Sequence, residues 1–169
     1  VRVASALAFE NKPELALELL ALAAQGAAQD IAWQVAHART AYDLGGSGQQ
    51  LAGALAQLDP ERMDADQLLA MAELAHRAGL DTQAQAFTLL IPATRASQHR
   101  RGAALAARIG WRQHADPART AAAAEQALSH HREDDGPALD VASLLVEAGQ
   151  HEAARRALAR FPVQRARHA

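Results

Sequence analysis

The chain has 169 residues, is 50% hydrophobic mainly through Ala and Leu, and contains 4% aromatic residues and no cysteine. Ala and Leu favour helices, and the lack of cysteine excludes disulfides and thiolate metal sites. The formal net charge of −2 gives no general attraction to nucleic acid or acidic membranes, and no apolar run is long enough to span a bilayer.

The N-terminal third of the chain contains two predicted helix pairs, each broken by a turn rich in Gly, Pro or Asn. The segments in chain order are a helix over Val3–Glu10, a turn at Asn11-Lys12-Pro13, a helix to Gln25, a helix over Asp30–Leu44, a turn at Gly45–Gly48 and a helix over Gln49–Leu58 before Asp59-Pro60.

The next predicted pair lies in Leu68–Pro92, and a similar one returns in Ala138–Pro162. An ungapped alignment of Gln67–Pro92 with Pro137–Pro162 has seven identities in 26 positions: Leu69/Leu139, Ala72/Ala142, Leu74/Leu144, Ala78/Ala148, Gly79/Gly149, Ala84/Ala154 and Pro92/Pro162. We expect each glycine to end a helix in the left-handed conformation, the alanines to be close helix contacts, and the prolines to stop the returning helix.

A spacing of 70 residues equals two repeats of 35, which predicts a weaker copy in between. Gly102–Gln113 forms its first helix, Asp116-Pro117 caps the second, and Ala118–His131 completes it. The chain therefore reads as one solenoid segment of about five units, and its start at Val1 suggests a piece of a longer protein. The approximate units are 1–28, 29–62, 63–96, 97–134 and 135–169.

The period and the residues at fixed positions resemble those of the tetratricopeptide-repeat family. The matching positions of the third unit are Leu68, Met71-Ala72, Ala75, Gly79, Ala84, Phe87 and Pro92, with an alanine replacing the usual tyrosine. Those of the fifth unit are Val141-Ala142, Leu145, Gly149, Ala154 and Phe161-Pro162. The resemblance implies an all-α array of antiparallel helix pairs that forms a right-handed superhelical solenoid.

Three segments carry residue types found in catalytic or metal sites, but none has the full pattern. The HExxH zinc motif is incomplete in His151-Glu152 because Arg155 replaces its second histidine. The polar run Ser129–Asp135 reads as a helix end with a turn, and Gly45–Gly48 lacks the Lys and the preceding strand of a phosphate loop. We predict no enzyme activity, no metal site and no cofactor.

The charge pattern is more informative than these motifs. No acidic residue lies between Asp81 and Asp116, a stretch that contains Arg95, Arg100, Arg101, Arg108 and Arg112. The flanking segments are acidic. This pattern predicts a basic band beside an acidic one, which would orient a charged partner, although a solvated outer face has the same composition.

The first helix of each tetratricopeptide unit lines the concave groove where partners bind. The resemblance therefore implies that the groove is lined by Asp66, Leu69, Glu73, His76, Arg77, Arg100, Trp111, Ser143 and Glu147. The predicted partner-binding set takes Asp66, Glu73, His76, Arg77, Arg100, Trp111 and Glu147 from these and adds Arg101, Arg108 and Arg112 from the basic band. Trp111 lies beside the predicted core stripe, and is interpreted either as an exposed hot spot next to arginine or as a packing residue between units. Trp33 and Tyr42 present the same alternatives.

The Ala-, Leu- and Arg-rich composition is also similar to that of the periplasmic repeat scaffolds of bacterial exopolysaccharide export. Pel-type systems are the first comparison, with the cellulose and poly-N-acetylglucosamine systems as alternatives. This resemblance implies a periplasmic segment of an outer-membrane-associated protein, which recruits a polysaccharide deacetylase or hydrolase.

Two other functions fit the same sequence. The chain could guide a charged polysaccharide directly, or it could be a cytoplasmic regulatory or chaperone module that captures an acidic peptide near Arg100–Arg112. We expect no nucleic-acid binding, because the acidic flanks oppose it, and no insertion of this segment into a membrane.

Overall fold

The computed structural model describes residues 30–129 and 135–159, together with the helical residues Leu15, Ala16, Glu18, Leu19 and Leu22. These residues contain helices and no β-strand, which confirms the predicted all-α class. From residue 30 onward the helices are α1 (Ile31–Asp43), α2 (Gly48–Ala56), α3 (Ala65–Arg77), α4 (Asp81–Leu90), α5 (Ala96–His114), α6 (Pro117–Ser129), α7 (Asp135–Glu147) and α8 (His151–Ala159), with a 3₁₀ turn at Pro60–Arg62. Three segments used in the sequence analysis lie outside the described residues. They are the predicted turn at Asn11–Pro13, the polar segment His130–Asp134 and Phe161-Pro162.

Side-chain caps begin four of these helices. The Asp30 carboxylate accepts hydrogen bonds from the backbone of α1, and Asp116 does the same at the start of α6, just before Pro117. Ser47 and Asp64 form capping boxes with Gln50 and Gln67 at α2 and α3. These bonds satisfy backbone N–H groups that have no partner within a helix, so the helix starts are fixed by local sequence.

The turns after α1, α3 and α7 share one hydrogen-bond pattern. Gly45, Gly79 and Gly149 have φ of 95°, 78° and 72°, in the left-handed region that glycine adopts at low cost. At α3, Gly79 N donates to His76 O and Leu80 N donates to Ala75 O, and the other two turns repeat both bonds. The predicted glycine stops at 79 and 149 are confirmed.

The turn after α5 reaches the same conformation without glycine. Ala115 has φ of 47° and its backbone N–H bonds to Trp111 O. Helix α5 also begins at Ala96, six residues before the predicted start at Gly102. The added residues are mostly polar, so they carried no apolar periodicity that would have predicted a helix.

The helices pack as pairs, and the chain divides into two compact units, Val1–Leu90 and Ile91–Ala169. In the first unit α1 packs with α2 and α3 with α4, while α3 also contacts α1 and α2. In the second unit α5 packs with α6 and α7 with α8, and α7 also contacts α5 and α6. In both units, therefore, the first helix of one pair packs against the two helices of the pair before it.

Small side chains form much of the core. Ala72, Ala84 and Ala154, which are identical or equivalent in the 70-residue repeat, are 0%, 0% and 3% exposed. One continuous cluster of the second unit consists of Ala104, Ala124, Ala127, Leu128, Ala138, Val141, Leu145, Ala153, Ala154 and Ala157. Alanine lets helix backbones approach closely, which confirms the interpretation of the repeated alanines as contact positions.

Two glycines of the second unit offer a matched test of these turns. A Cβ added at Gly149 or at Gly110 meets no atom within 4 Å, so only backbone conformation distinguishes them. Gly149→Ala must hold a left-handed φ, and we expect it to lower the free energy of unfolding by about 1–2 kcal/mol. Gly110→Ala lies inside α5 and should raise it by about 0.5–1 kcal/mol. Urea denaturation followed by circular dichroism measures both, and equal signs would contradict the assignment.

Candidate functional site

The first helices α3 and α5 each carry three charged residues on one side. Asp66, Glu73 and Arg77 of α3 are seven and four residues apart, and Arg101, Arg108 and Arg112 of α5 repeat that spacing. At 100° per residue, each set lies within about 40° around its helix axis. We call these sets the α3 stripe and the α5 stripe.

Both stripes are accessible to solvent. The outer members Asp66, Arg77, Arg101 and Arg112 are exposed, and the central members Glu73 and Arg108 are partly exposed. A shift of 35 residues converts the α3 stripe into the α5 stripe, so equivalent positions carry mainly acidic side chains on one helix and only basic ones on the other. Helix α5 contains no acidic residue at all.

Helix α1 has its exposed stripe in the same register. Ala32, Arg39 and Asp43 have the same spacing and are all exposed. Arg39 Nε lies 3.7 Å from Asp43 Oδ2, so this stripe neutralises its own charge. The excess positive charge is therefore specific to α5 among these three first helices.

Arg108 joins the two first helices of the second unit. Its Nη1 lies 3.5 Å from Glu147 Oε1, and its Nη2 donates a hydrogen bond of 3.3 Å to the backbone O of Asp140. The Arg108 and Glu147 side chains are 31% and 49% exposed. Two residues predicted from sequence to bind a partner thus contact each other, and they place the α5 stripe next to the exposed side of α7.

The second helices of this unit are joined in a similar way. Arg156 of α8 lies 3.7 Å, Nη2 to Oε1, from Glu125 of α6, and both side chains are mostly exposed. Exposed ion pairs contribute little to stability, typically below about 1 kcal/mol. This pair therefore shows that α6 and α8 lie side by side, and burial of apolar side chains holds them together.

Arg100 and Trp111 lie on a different side of α5. Each directly precedes a stripe residue, so each is turned about 100° around the helix from it. That side also contains Ala104 and Ala107, which are 7% and 3% exposed, while Arg100 and Trp111 are half-buried. Trp111 therefore lies on the side of α5 that carries these buried alanines.

His76 also lies away from the open stripe. Its Nδ1 is 2.8 Å from Asp81 Oδ1, across the turn between α3 and α4, and the two side chains are only 14% and 15% exposed. His76 is seven residues after the buried Leu69 and on the same side of α3. It holds the turn rather than lying open on the surface.

Trp33 and Tyr42, the two aromatic residues of the predicted repeat 29–62, lie on α1 and are partly buried. The Trp33 and His37 rings stack with centroids 4.9 Å apart and an interplanar angle of 16°. Burial lowers the pKa of His37, because desolvation disfavours its charged form. Tyr42 is half-buried on the same helix, so neither aromatic ring is a fully open platform.

The histidine motif of the sequence lies in the first turn of α8. The Glu152 carboxylate pairs with Arg155 on the same turn, in agreement with its interpretation as a helix start. Among the described residues, no three His, Asp or Glu side chains are grouped as a metal would require. Within the same residues no helix combines the length and apolarity needed to cross a bilayer.

Comparisons with protein families, with curated proteins and with solved structures found no match to this chain. The site is therefore defined by its geometry. Six of the ten predicted residues form the two stripes, and Glu147 adjoins the α5 stripe through Arg108. Arg100, Trp111 and His76 are turned toward packed or partly buried sides.

The sequence did not reveal one further surface. Leu139 and Val146 of α7 are 58% and 52% exposed, although the equivalent of Leu139 in the repeat, Leu69, is buried. The repeat alignment could not predict that these two leucines differ in burial, because they are identical residues and only the residues around them differ.

A double-mutant cycle measures the Arg108–Glu147 contact. We expect Arg108→Gln and Glu147→Gln to show a coupling of roughly 0.2–1 kcal/mol in the free energy of unfolding, decreasing with added salt. Arg108→Gln combined with Glu125→Gln is the control, since Glu125 pairs with Arg156, and should show no coupling. Equal values in the two cycles would argue against the contact.

Proposed function

We propose that the chain is a non-catalytic scaffold that binds a partner protein through the exposed stripes of its first helices. The observation that carries this proposal is the repeated spacing of the two stripes with contrasting charge. Packing alone selects residues for the buried sides of a helix and sets no sign for the charge on its exposed side. The charge changes sign at two of the three equivalent positions, Asp66/Arg101 and Glu73/Arg108, and such a charge pattern is what specific recognition of a charged partner uses.

Arginine suits such a surface. Its planar guanidinium group makes bidentate hydrogen bonds with carboxylates, and arginine is enriched among residues that dominate binding energy. The α5 stripe presents two well-exposed guanidinium groups, Arg101 and Arg112, on either side of Arg108. We infer that the segment bound there is acidic.

The remaining parts of the proposal come from the resemblances. They are an array of about five tetratricopeptide-like units with a right-handed superhelix, and recruitment of a polysaccharide deacetylase or hydrolase to an exopolysaccharide export complex in the periplasm. The structural support is limited to the shared packing order of the helix pairs in each unit. Fold resemblance by itself does not define a partner.

Affinity capture tests the proposal. The immobilised chain is exposed to periplasmic and cytoplasmic extracts of its source organism, and retained proteins are identified by mass spectrometry. We expect Arg101→Glu with Arg112→Glu to reduce retention of the partner by about tenfold or more, which corresponds to about 1.4 kcal/mol. Arg155→Glu with Arg156→Glu on α8 is the matched control for net charge, and should retain the partner.

Each other outcome selects a different function. If both variants lose the partner equally, net charge rather than the α5 stripe is responsible. If only carbohydrate is retained, the chain guides a polysaccharide. Capture of a cytoplasmic protein alone would replace the export setting with a regulatory or chaperone role, and retention of no protein from either extract would refute the scaffold function.

A further inference from the structure

The α7/α8 pair exposes apolar side chains at positions whose equivalents in the α3/α4 pair are largely buried. A shift of 70 residues relates Leu139, Val146 and Leu158 to Leu69, His76 and Thr88. The first three side chains are exposed, the residues being 58%, 52% and 38% accessible. Leu69 and Thr88 are 3% and 8% accessible, and the His76 side chain 14%.

This exposed surface is separate from the core of α7. Val141 and Leu145 face the buried cluster of the second unit and are each 1% exposed. Leu139 and Val146 are seven residues apart and therefore lie on another side of the helix, with the exposed Ser143 between them. Helix α7 thus has two apolar sides, and its own unit covers only one of them. We call the side of Leu139 and Val146 the α7 apolar face.

Repeat architecture indicates what kind of surface fits this face. In helical arrays, one side of each pair is covered by an adjacent pair, and stability arises from these contacts between neighbours. Because the equivalent positions of α3/α4 are covered, the α7 apolar face has the pattern of a surface that receives another helix. Its large aliphatic side chains favour an apolar helix over a charged segment.

The same chain carries an exposed helical stripe of that kind. Leu15, Leu19 and Leu22 are helical and are 52%, 39% and 67% exposed, whereas Ala16 is fully buried. Spacings of four and three residues are those that bring side chains to one side of an α-helix. We call this set the leucine stripe.

We propose that the leucine stripe of one copy of this chain docks on the α7 apolar face of a second copy, in a head-to-tail contact. The two surfaces differ, so the contact is heterologous, and each bound copy leaves a further surface available. Association through this contact therefore gives a closed ring or an open chain of copies. This contact uses none of the residues of the two charged stripes.

Sedimentation equilibrium of the 169-residue chain between about 1 µM and 1 mM, the range of weak to moderate protein affinities, tests the proposal. We expect the average mass to rise to at least twice the 17.9 kDa of one chain. Leu139→Glu with Val146→Glu should keep the chain monomeric, and so should Leu15→Glu with Leu22→Glu. The control is Leu89→Glu with Leu90→Glu, which adds the same charge to exposed leucines of α4 and should associate as the unchanged chain does.

Mixing the two monomeric variants decides the geometry. Each retains one intact surface, so the mixture should form a dimer and stop there. Circular dichroism checks that all variants keep their helix content, which we expect because the changed side chains are exposed. A monomeric unchanged chain, association that survives either double substitution, equal loss in the control, or a mixture that stays monomeric would each overturn the proposal.

Discussion

In each unit, the structure depends on one constraint: the first helix of a pair must pack against other helices on more than one of its sides. A single helix pair leaves apolar surface exposed, so α3 packs against both helices of the pair before it, and α7 does the same in the second unit. On α3, what remains exposed to solvent is one narrow stripe along the helix. The spacing of seven and four residues in the charged stripes follows directly from this packing, because it is the spacing that stays on one side of an α-helix.

Within that constraint, charge is the property the chain can vary freely. Small residues such as Ala72 and Ala142 must stay small, since both are buried at equivalent contact positions. The exposed stripe has no such requirement, and it changes from mainly acidic on α3 to wholly basic on α5. Arg108 serves both needs: it belongs to the α5 stripe and it also fixes α5 to α7 through Glu147 and the Asp140 carbonyl. The proposed partner surface and the internal packing therefore share this residue.

The chain thus offers two chemically different surfaces. The charged stripes suit a partner recognised through carboxylates and guanidinium groups, whose attraction is weakened by salt. The α7 apolar face and the leucine stripe suit contact between helices, whose strength depends on the apolar area removed from water. The proposed self-association uses the apolar surfaces, and the proposed partner binding uses the charged ones.

The sequence by itself determined the features that depend on neighbouring residues along the chain. The cap at Asp116 and the glycine turns at Gly79 and Gly149 were predicted because their hydrogen bonds close within a few residues. It also placed the charged residues on first helices. Only the tertiary structure decided which sides of those helices are covered, because that depends on residues far away in the chain. Leu69 and Leu139 are the same residue at equivalent positions of the repeat, and one is buried while the other is exposed.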